Sequence, residues 1–284
     1  MWNPERPFGF SLEPLFGKLY ETLTGQQYTD FRFVEGETPL STPTEVIVTC
    51  ILYLITIFGG QYILKNRKPF KLDLLFKLHN VFLTVVSLGL LILILENLIP
   101  IYAKGGLFYA VCSPDAWTQR LELFYYLNYL IKYYELIDTI FLVLKKKKLE
   151  FLHYYHHSLT MVLCYTQLVG RTSVSWVPIT LNLTVHVFMY YYYFRATSGA
   201  RIWWKKYLTT MQITQFILDL GFVYFCTYTY LAYNHFPSIP NYGTCHGTIE
   251  AALFGCALLS SYLVLFISFF RKTYKKPAVK AKKN

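Results

Sequence analysis

The sequence predicts an all-α, polytopic membrane protein with seven spanning helices. Of its 284 residues, 54% are hydrophobic and 15% are charged, where a soluble chain carries about a quarter charged residues. Seven apolar stretches approach the ~20 residues needed to cross a bilayer core. The Lys and Arg residues crowd into alternate connections, as the positive-inside rule requires. No polar stretch is long enough to build a second, soluble domain. The expected organisation is an N-terminal segment 1–43, a helical membrane domain 44–271 and a basic tail 272–284.

The spans follow in order. The first is Val46–Leu64, and the second runs from about Leu74 to Ile99, ending at Pro100. The third covers about Leu121–Leu144, the fourth Leu152–Val169 and the fifth Val174–Phe194. The sixth covers about Tyr207–Tyr233 and the seventh Ile249–Phe270. The first 43 residues contain Pro4, Pro7, Pro14 and Pro39 and lack a charged region ahead of a short apolar run. A cleavable signal is therefore not expected, and the first span is read as the targeting signal.

Basic residues follow the first span (Lys65, Arg67, Lys68, Lys71) and the third (Lys145 to Lys148). They also join the fifth to the sixth (Arg195, Arg201, Lys205, Lys206) and follow the seventh (Arg271, Lys272, Lys275, Lys276). The other connections hold only Lys104 and Arg171. This alternation places the C-terminus in the cytosol and, with an odd span count, the N-terminus on the opposite side. The net charge of +11 is thus read as an orientation signal with an anionic ligand added, not as a nucleic-acid surface, because the basic runs are short connections.

Cys112 and Cys245 both fall in non-cytosolic connections, where an oxidising lumen favours a disulfide over two free thiols. Cys50, Cys164, Cys226 and Cys256 lie inside spans and read as packing residues. Lys280 and Lys282 stand fifth and third from the end and match a di-lysine retrieval signal for the endoplasmic reticulum. A solvated basic tail is the simpler alternative.

Charged residues inside membrane helices are costly and are usually paired or functional. The third span carries Asn128, Lys132, Glu135 and Thr139 on one helical stripe, with Asp138 on the adjoining face. They make either a structural ion pair between helices or a polar wall around a substrate. The fourth opens with His153, His156 and His157 on one side of one turn, a pattern suited to metal binding or to acid–base and acyl chemistry. The fifth adds Asn182, His186, Met189, Tyr190, Tyr192 and Tyr193. The sixth adds Gln212, Gln215 and Asp219 along one face. Together these residues predict one polar chamber at the cytosolic ends of the helices and an apolar interior beyond it.

Four ordered runs resemble the signature set of the very-long-chain fatty-acid elongase family. They are Lys132-x-x-Glu135-x-x-Asp138-Thr139, His153-x-x-His156-His157, Asn182-x-x-x-His186-x-x-Met189-Tyr190-x-Tyr192-Tyr193 and Thr209-x-x-Gln212-x-x-Gln215. Ser175-Trp176-Val177-Pro178 and Trp203-Trp204-Lys205 look most like the fungal branch. The resemblance implies a 3-ketoacyl-CoA synthase of the endoplasmic reticulum, with spans two to seven enclosing an acyl tunnel. It would join a long-chain acyl-CoA with malonyl-CoA and release CO2 and CoA. It would need no metal and no cofactor beyond its CoA thioester substrates.

The same resemblance gives His156 the acyl chain as an acyl-imidazole. His186 would then serve the malonyl step, and His153 and His157 would orient the pair. Lys132, Glu135, Asp138, Asn182, Tyr190, Tyr193, Gln212 and Gln215 would line the substrate site. Lys145, Lys148, Arg201 and Lys205 would meet the CoA phosphates, unless they serve topology alone. The implied partners are membrane lipid and the ketoacyl reductase, hydroxyacyl dehydratase and enoyl reductase of the cycle, with a homodimer left open and no nucleic acid.

The competing class is a proton-coupled transporter or receptor-like seven-helix protein built on the same buried charges. A di-iron oxygenase is disfavoured: that chemistry uses about eight histidines in three boxes, and this chain has seven with one box. His79, His235 and His246 read as isolated.

Overall fold

The computed structural model describes residues 6–274, and within them the regular structure is helical. In lipid every backbone N–H and C=O has to be paired within its own segment, which makes apolar runs helical. Eight α-helices result: α1 (Glu13–Thr24), α2 (Pro43–Ile63), α3 (Asp73–Cys112), α4 (Gln119–Leu144), α5 (Phe151–Gly170), α6 (Trp176–Thr197), α7 (Lys205–His235) and α8 (Ile249–Tyr274). Among the described residues α2, α3, α7 and α8 are long and apolar enough to cross a membrane by length and composition alone. α4, α5 and α6 are comparable in length but carry the polar stripes, which lower their hydropathy.

Helix ends follow local chemistry. Thr42 and Glu45 form a reciprocal capping box with Pro43 in the first turn of α2, satisfying orphan N–H groups. Thr118 accepts from Leu121 N at the start of α4. Hydroxyls on the apolar helices bond back to carbonyls four residues earlier, as Ser158 does to Tyr154 and Thr180 to Trp176. Such local bonds make Ser and Thr tolerable in an apolar environment.

The second expected span runs further than its sequence suggests. α3 passes through Pro100 and breaks at Gly106, whose φ of 75° is left-handed. Proline removes one helical N–H donor without ending the helix here. Glycine adopts the break conformation without a Cβ penalty.

Neighbouring helices close a ring in the order α3, α4, α5, α8, α7, α6 and back to α3, while α2 packs outside against α4 and α5. The N-terminal segment is tied to one end of the ring. Buried Glu96 of α3 accepts from Leu12 N at 2.7 Å and Glu13 N at 3.2 Å at the start of α1. Buried Glu122 of α4 accepts from Phe33 N at 3.1 Å. Both carboxylates are thus occupied by backbone N–H groups of the N-terminal segment. At the same end Cys112 is disulfide-bonded to Cys245, joining α3 to the loop before α8. The tail with Lys280 and Lys282 lies outside the described residues.

Candidate active site

The third, fifth and fourth expected spans (α4, α6 and α5) bring their polar stripes to one place. Lys132 Nζ donates to Glu135 Oε1 at 2.9 Å and Oε2 at 3.2 Å, one turn along α4. It also donates to Asn182 Oδ1 of α6 at 2.8 Å. Both charged side chains are only 3% exposed. Two charges this deep persist only when paired and hydrogen-bonded.

These contacts fix the atoms beyond them. An ammonium only donates, so the oxygen of Asn182 has to face Lys132 and its Nδ2 has to face away. Asn182 Nδ2 then meets His186 Nε2 at 3.2 Å, which leaves that nitrogen as the acceptor. His186 therefore carries its proton on Nδ1, assigned from the network. That nitrogen lies 3.2 Å from Glu135 Oε1, yet the approach is not aligned as a hydrogen bond. The contact is electrostatic, and the ring is held chiefly by Asn182.

A second network stands beside the first. Asp138 Oδ1 meets His79 Nε2 at 2.7 Å, and Asp138 Oδ2 accepts from Tyr190 OH at 2.9 Å. The expectation that His79 is isolated is therefore overturned. Its partner is 59 residues away in sequence, so spacing held no signal for it. Tyr53 OH and Thr139 Oγ1, 2.7 Å apart, carry the same stripe toward α2.

The histidine turn of α5 projects into the ring. The rings of His153 and His157 lie 4.4 Å apart between centroids. His156 packs against Tyr262 at 4.8 Å and Phe266 at 5.8 Å. Tyr262 also donates to the His156 backbone carbonyl at 3.3 Å and accepts from Thr160 Oγ1 at 3.1 Å. α8 is thus the wall that positions the central histidine, a role absent from the motif reading.

Two voids meet at this point. The outer one, about 1390 Å³, is lined by His153, His156, His157 and His186, with Asp138, Tyr193 and Gln212, and it reaches Lys148 and Lys205 at the helix ends. The inner one, about 780 Å³, runs past Lys132, Asn128 and Cys164 to Trp117 and Gln167 at the disulfide end. His156, Asn182, Gln215 and Phe216 line both.

Several expected site residues stand elsewhere. Glu135 and Tyr190 line neither void and act through Lys132, His186 and Asp138. Lys145 Nζ is held by Asp73 at 2.8 Å, and Arg201 is exposed and outside the outer lining.

The interior beyond the histidines is less apolar than expected. Lys132, Asn128 and Asp219 line the inner void, and Asp219 is fully buried with Oδ2 held by Gln215 at 3.2 Å. Helices whose outer faces are apolar can still turn polar stripes inward, and average hydropathy conceals this. Cys226, read as a packing residue, is buried in the apolar core as expected and also lies 3.8 Å from Cys112 Sγ, sulfur to sulfur.

The apolar helices and the inward-facing polar stripes define a multi-pass membrane protein with a histidine-lined internal site. The chain belongs to the ELO family, described as the GNS1/SUR4 family, whose pattern matches residues 38–282. It is 51% identical over 99% of its length to putative fatty acid elongase 1 of Schizosaccharomyces pombe, covering 83% of that protein. It is 44% identical to putative fatty acid elongase 2 of the same yeast, over 95% of this chain and 74% of the relative. It is also 38% identical to fatty acid elongase A of Dictyostelium discoideum, over 89% of this chain and 92% of that one. These likenesses agree with the fungal branch of the family.

Proposed function

We propose that the protein is the condensing enzyme of fatty-acid elongation, a very-long-chain 3-oxoacyl-CoA synthase that joins a long-chain acyl-CoA with malonyl-CoA. The observation that carries this reading is the meeting of two voids at His156. The inner void, with its mostly apolar lining, suits an acyl chain, and the outer void, reaching Lys148 and Lys205, suits a CoA ester. Lys148 and Lys205 are placed to meet phosphates. Lys145 and Arg201 are left to topology.

In the proposed reaction an imidazole nitrogen of His156 attacks the acyl thioester carbonyl, and the C–S bond breaks. CoA leaves as a thiolate and takes up a proton, while the acyl group stays on His156 as an acyl-imidazole. Malonyl-CoA then enters the outer void and loses CO2. The resulting enolate attacks the acyl carbonyl, the C–N bond breaks, and 3-ketoacyl-CoA departs with His156 regenerated.

Asn182 lines both voids and has a second N–H on the nitrogen that faces His186. It is assigned to the oxyanion that develops at the junction. Lys132 and Glu135 hold that amide in register. In the resting network His186 Nε2 is occupied by Asn182, so His186 positions the malonyl group rather than acting as a free base. His153 and His157 set the turn that presents His156. Tyr193, Gln212 and Gln215 complete the lining, and Tyr190 fixes Asp138.

The same reading places the chain in the endoplasmic reticulum membrane with seven spans, α2–α8, its N-terminus lumenal and its C-terminus cytosolic. Acyl-CoA and malonyl-CoA are the substrates, and no resident cofactor is required. A reductase, a dehydratase and an enoyl reductase would complete the cycle around a monomer or homodimer.

The test is single-turnover trapping. Purified protein is mixed with acyl-CoA in the absence of malonyl-CoA, and the adduct is mapped by mass spectrometry. The acyl group is expected on His156, and chasing with labelled malonyl-CoA should convert it to 3-ketoacyl-CoA. An adduct on Cys164, which also lines the inner void, would overturn the histidine route.

A further inference from the structure

At the end of the ring opposite the histidines, three sulfur atoms converge from three separate segments. Cys112 ends α3, Cys245 precedes α8 and Cys226 lies within α7. The three sulfurs fall within 4.8 Å of one another, and all three residues are buried. The first two are disulfide-bonded. Cys226 Sγ stands 3.8 Å from Cys112 Sγ, and its other polar neighbour is the Val111 carbonyl at 4.0 Å. A void of about 400 Å³ lies beside the cluster, lined by Cys226, Cys245, His246 and Tyr230.

We propose that Cys226 is the third member of an exchangeable disulfide centre, able to displace Cys245 from Cys112. The Cys226 thiolate forms the new Cys112–Cys226 bond as the Cys112–Cys245 bond breaks. The electron pair leaves on Cys245, which takes up the proton Cys226 gave up. No oxidant or reductant enters. His246, the chain neighbour of Cys245 and part of the same void, is placed to carry that proton. Contact between the attacking and attacked sulfurs makes the step intramolecular, with a large effective concentration. All three sulfurs are buried, so the exchange is slow and waits on opening of the loop over the void.

The two linkages hold different parts of the fold. With Cys112–Cys245, α3 is tied to the loop before α8. With Cys112–Cys226, α3 is tied directly to α7. The loop then depends on hydrogen bonds such as His246 N to Cys112 O at 2.8 Å and Thr248 N to Gly170 O at 3.0 Å. Gln167, Val174 and Val223 line both this void and the inner chamber. The centre therefore sits against the wall of that chamber, and the choice of linkage acts on it.

The test reads the linkages directly on the full-length protein in membranes. After incubation in glutathione redox buffers, free thiols are blocked by acid quench and alkylation, and non-reduced peptides are mapped by mass spectrometry. The wild type should give mainly Cys112–Cys245. A minor Cys112–Cys226 species with alkylated Cys245 should grow as reduced glutathione catalyses exchange. Cys245→Ser should shift the linkage fully to Cys112–Cys226, with oxidised glutathione accepting the two electrons, whereas Cys226→Ser should hold Cys112–Cys245 alone.

Recovery of Cys112 as a free alkylated thiol in Cys245→Ser would overturn the proposal. Absence of any Cys112–Cys226 peptide from the wild type across the redox series would overturn it equally, even if the variant fails to accumulate. Neither readout depends on the elongation reaction.

Discussion

Lys132 of α4 donates to Asn182 of α6 at 2.8 Å, and this one contact orients an amide on the edge of both chambers. Through it, a charge buried on one helix decides which way a hydrogen-bond donor points on another. Lys132→Met would leave Glu135 buried beside His186 without its cation. Removing one partner of a buried ion pair costs about 3–5 kcal/mol, so the thermal midpoint in detergent should fall sharply. The double variant Lys132→Met/Glu135→Gln should regain much of the midpoint while malonyl-CoA incorporation stays abolished. Restored incorporation would show that the pair is structural only.

The Asp138 carboxylate offers a graded comparison. Tyr190→Phe removes one hydrogen bond to a partly buried acceptor, at a cost of about 1 kcal/mol. His79→Phe removes the closer partner at 2.7 Å and should lower the midpoint further. Chemical denaturation of the two purified variants gives the order. Equal effects would mean that the two partners hold Asp138 equally and that the shorter contact adds nothing extra.

Gly255 lines the inner chamber, and a Cβ there would meet Gln167, Leu163 and Val223 at 3.7–4.0 Å, an ordinary contact. Gly255→Leu would then project its larger side chain into the void. Overpacking costs about 1–3 kcal/mol, which a folded protein can absorb. If this void takes the acyl chain, the accepted acyl-CoA should shift to shorter chains, and Val223→Ala should shift it to longer ones. Product profiles from a panel of saturated acyl-CoA esters test this. Identical profiles in both variants would place the acyl chain elsewhere.

The chamber mouth has a pH response of known sign. A hydrogen bond from Lys148, with a more distant charge from Lys272, holds the Glu150 carboxyl below its usual range. A carboxyl with a lowered folded pKa stabilises the fold above its unfolded value of about 4.3. That contribution is lost as pH falls through the folded value. The difference in thermal midpoint between wild type and Glu150→Gln should stay constant from about pH 7 to 5 and shrink as the pH falls below the unfolded value. It should also be small and salt-sensitive, because the pair is solvent-exposed.

The motif histidines were legible because helical spacing alone puts His153, His156 and His157 on one turn. The pairing of Lys132 with Glu135 was legible for the same reason. The contacts of His79 with Asp138, Tyr262 with His156 and Glu96 with the first turn of α1 were not, since each joins segments 59 or more residues apart. The contact of Lys145 with Asp73 was not legible either, because a basic run identifies a helix end without saying which acid will meet it.

Apolar run length and residue periodicity settle local matters: which segments become helices and which side chains share a face. These follow from backbone hydrogen bonding in lipid and from 3.6 residues per turn, and the amino-acid order alone determined them. Only the closed ring of α3–α8 decided that His156 stands between two chambers, that Lys132 governs Asn182, and that Cys226 lies against a disulfide. Those relations depend on how helices distant in sequence pack against one another. Packing is set by the fit of many side chains at once, which no single segment encodes.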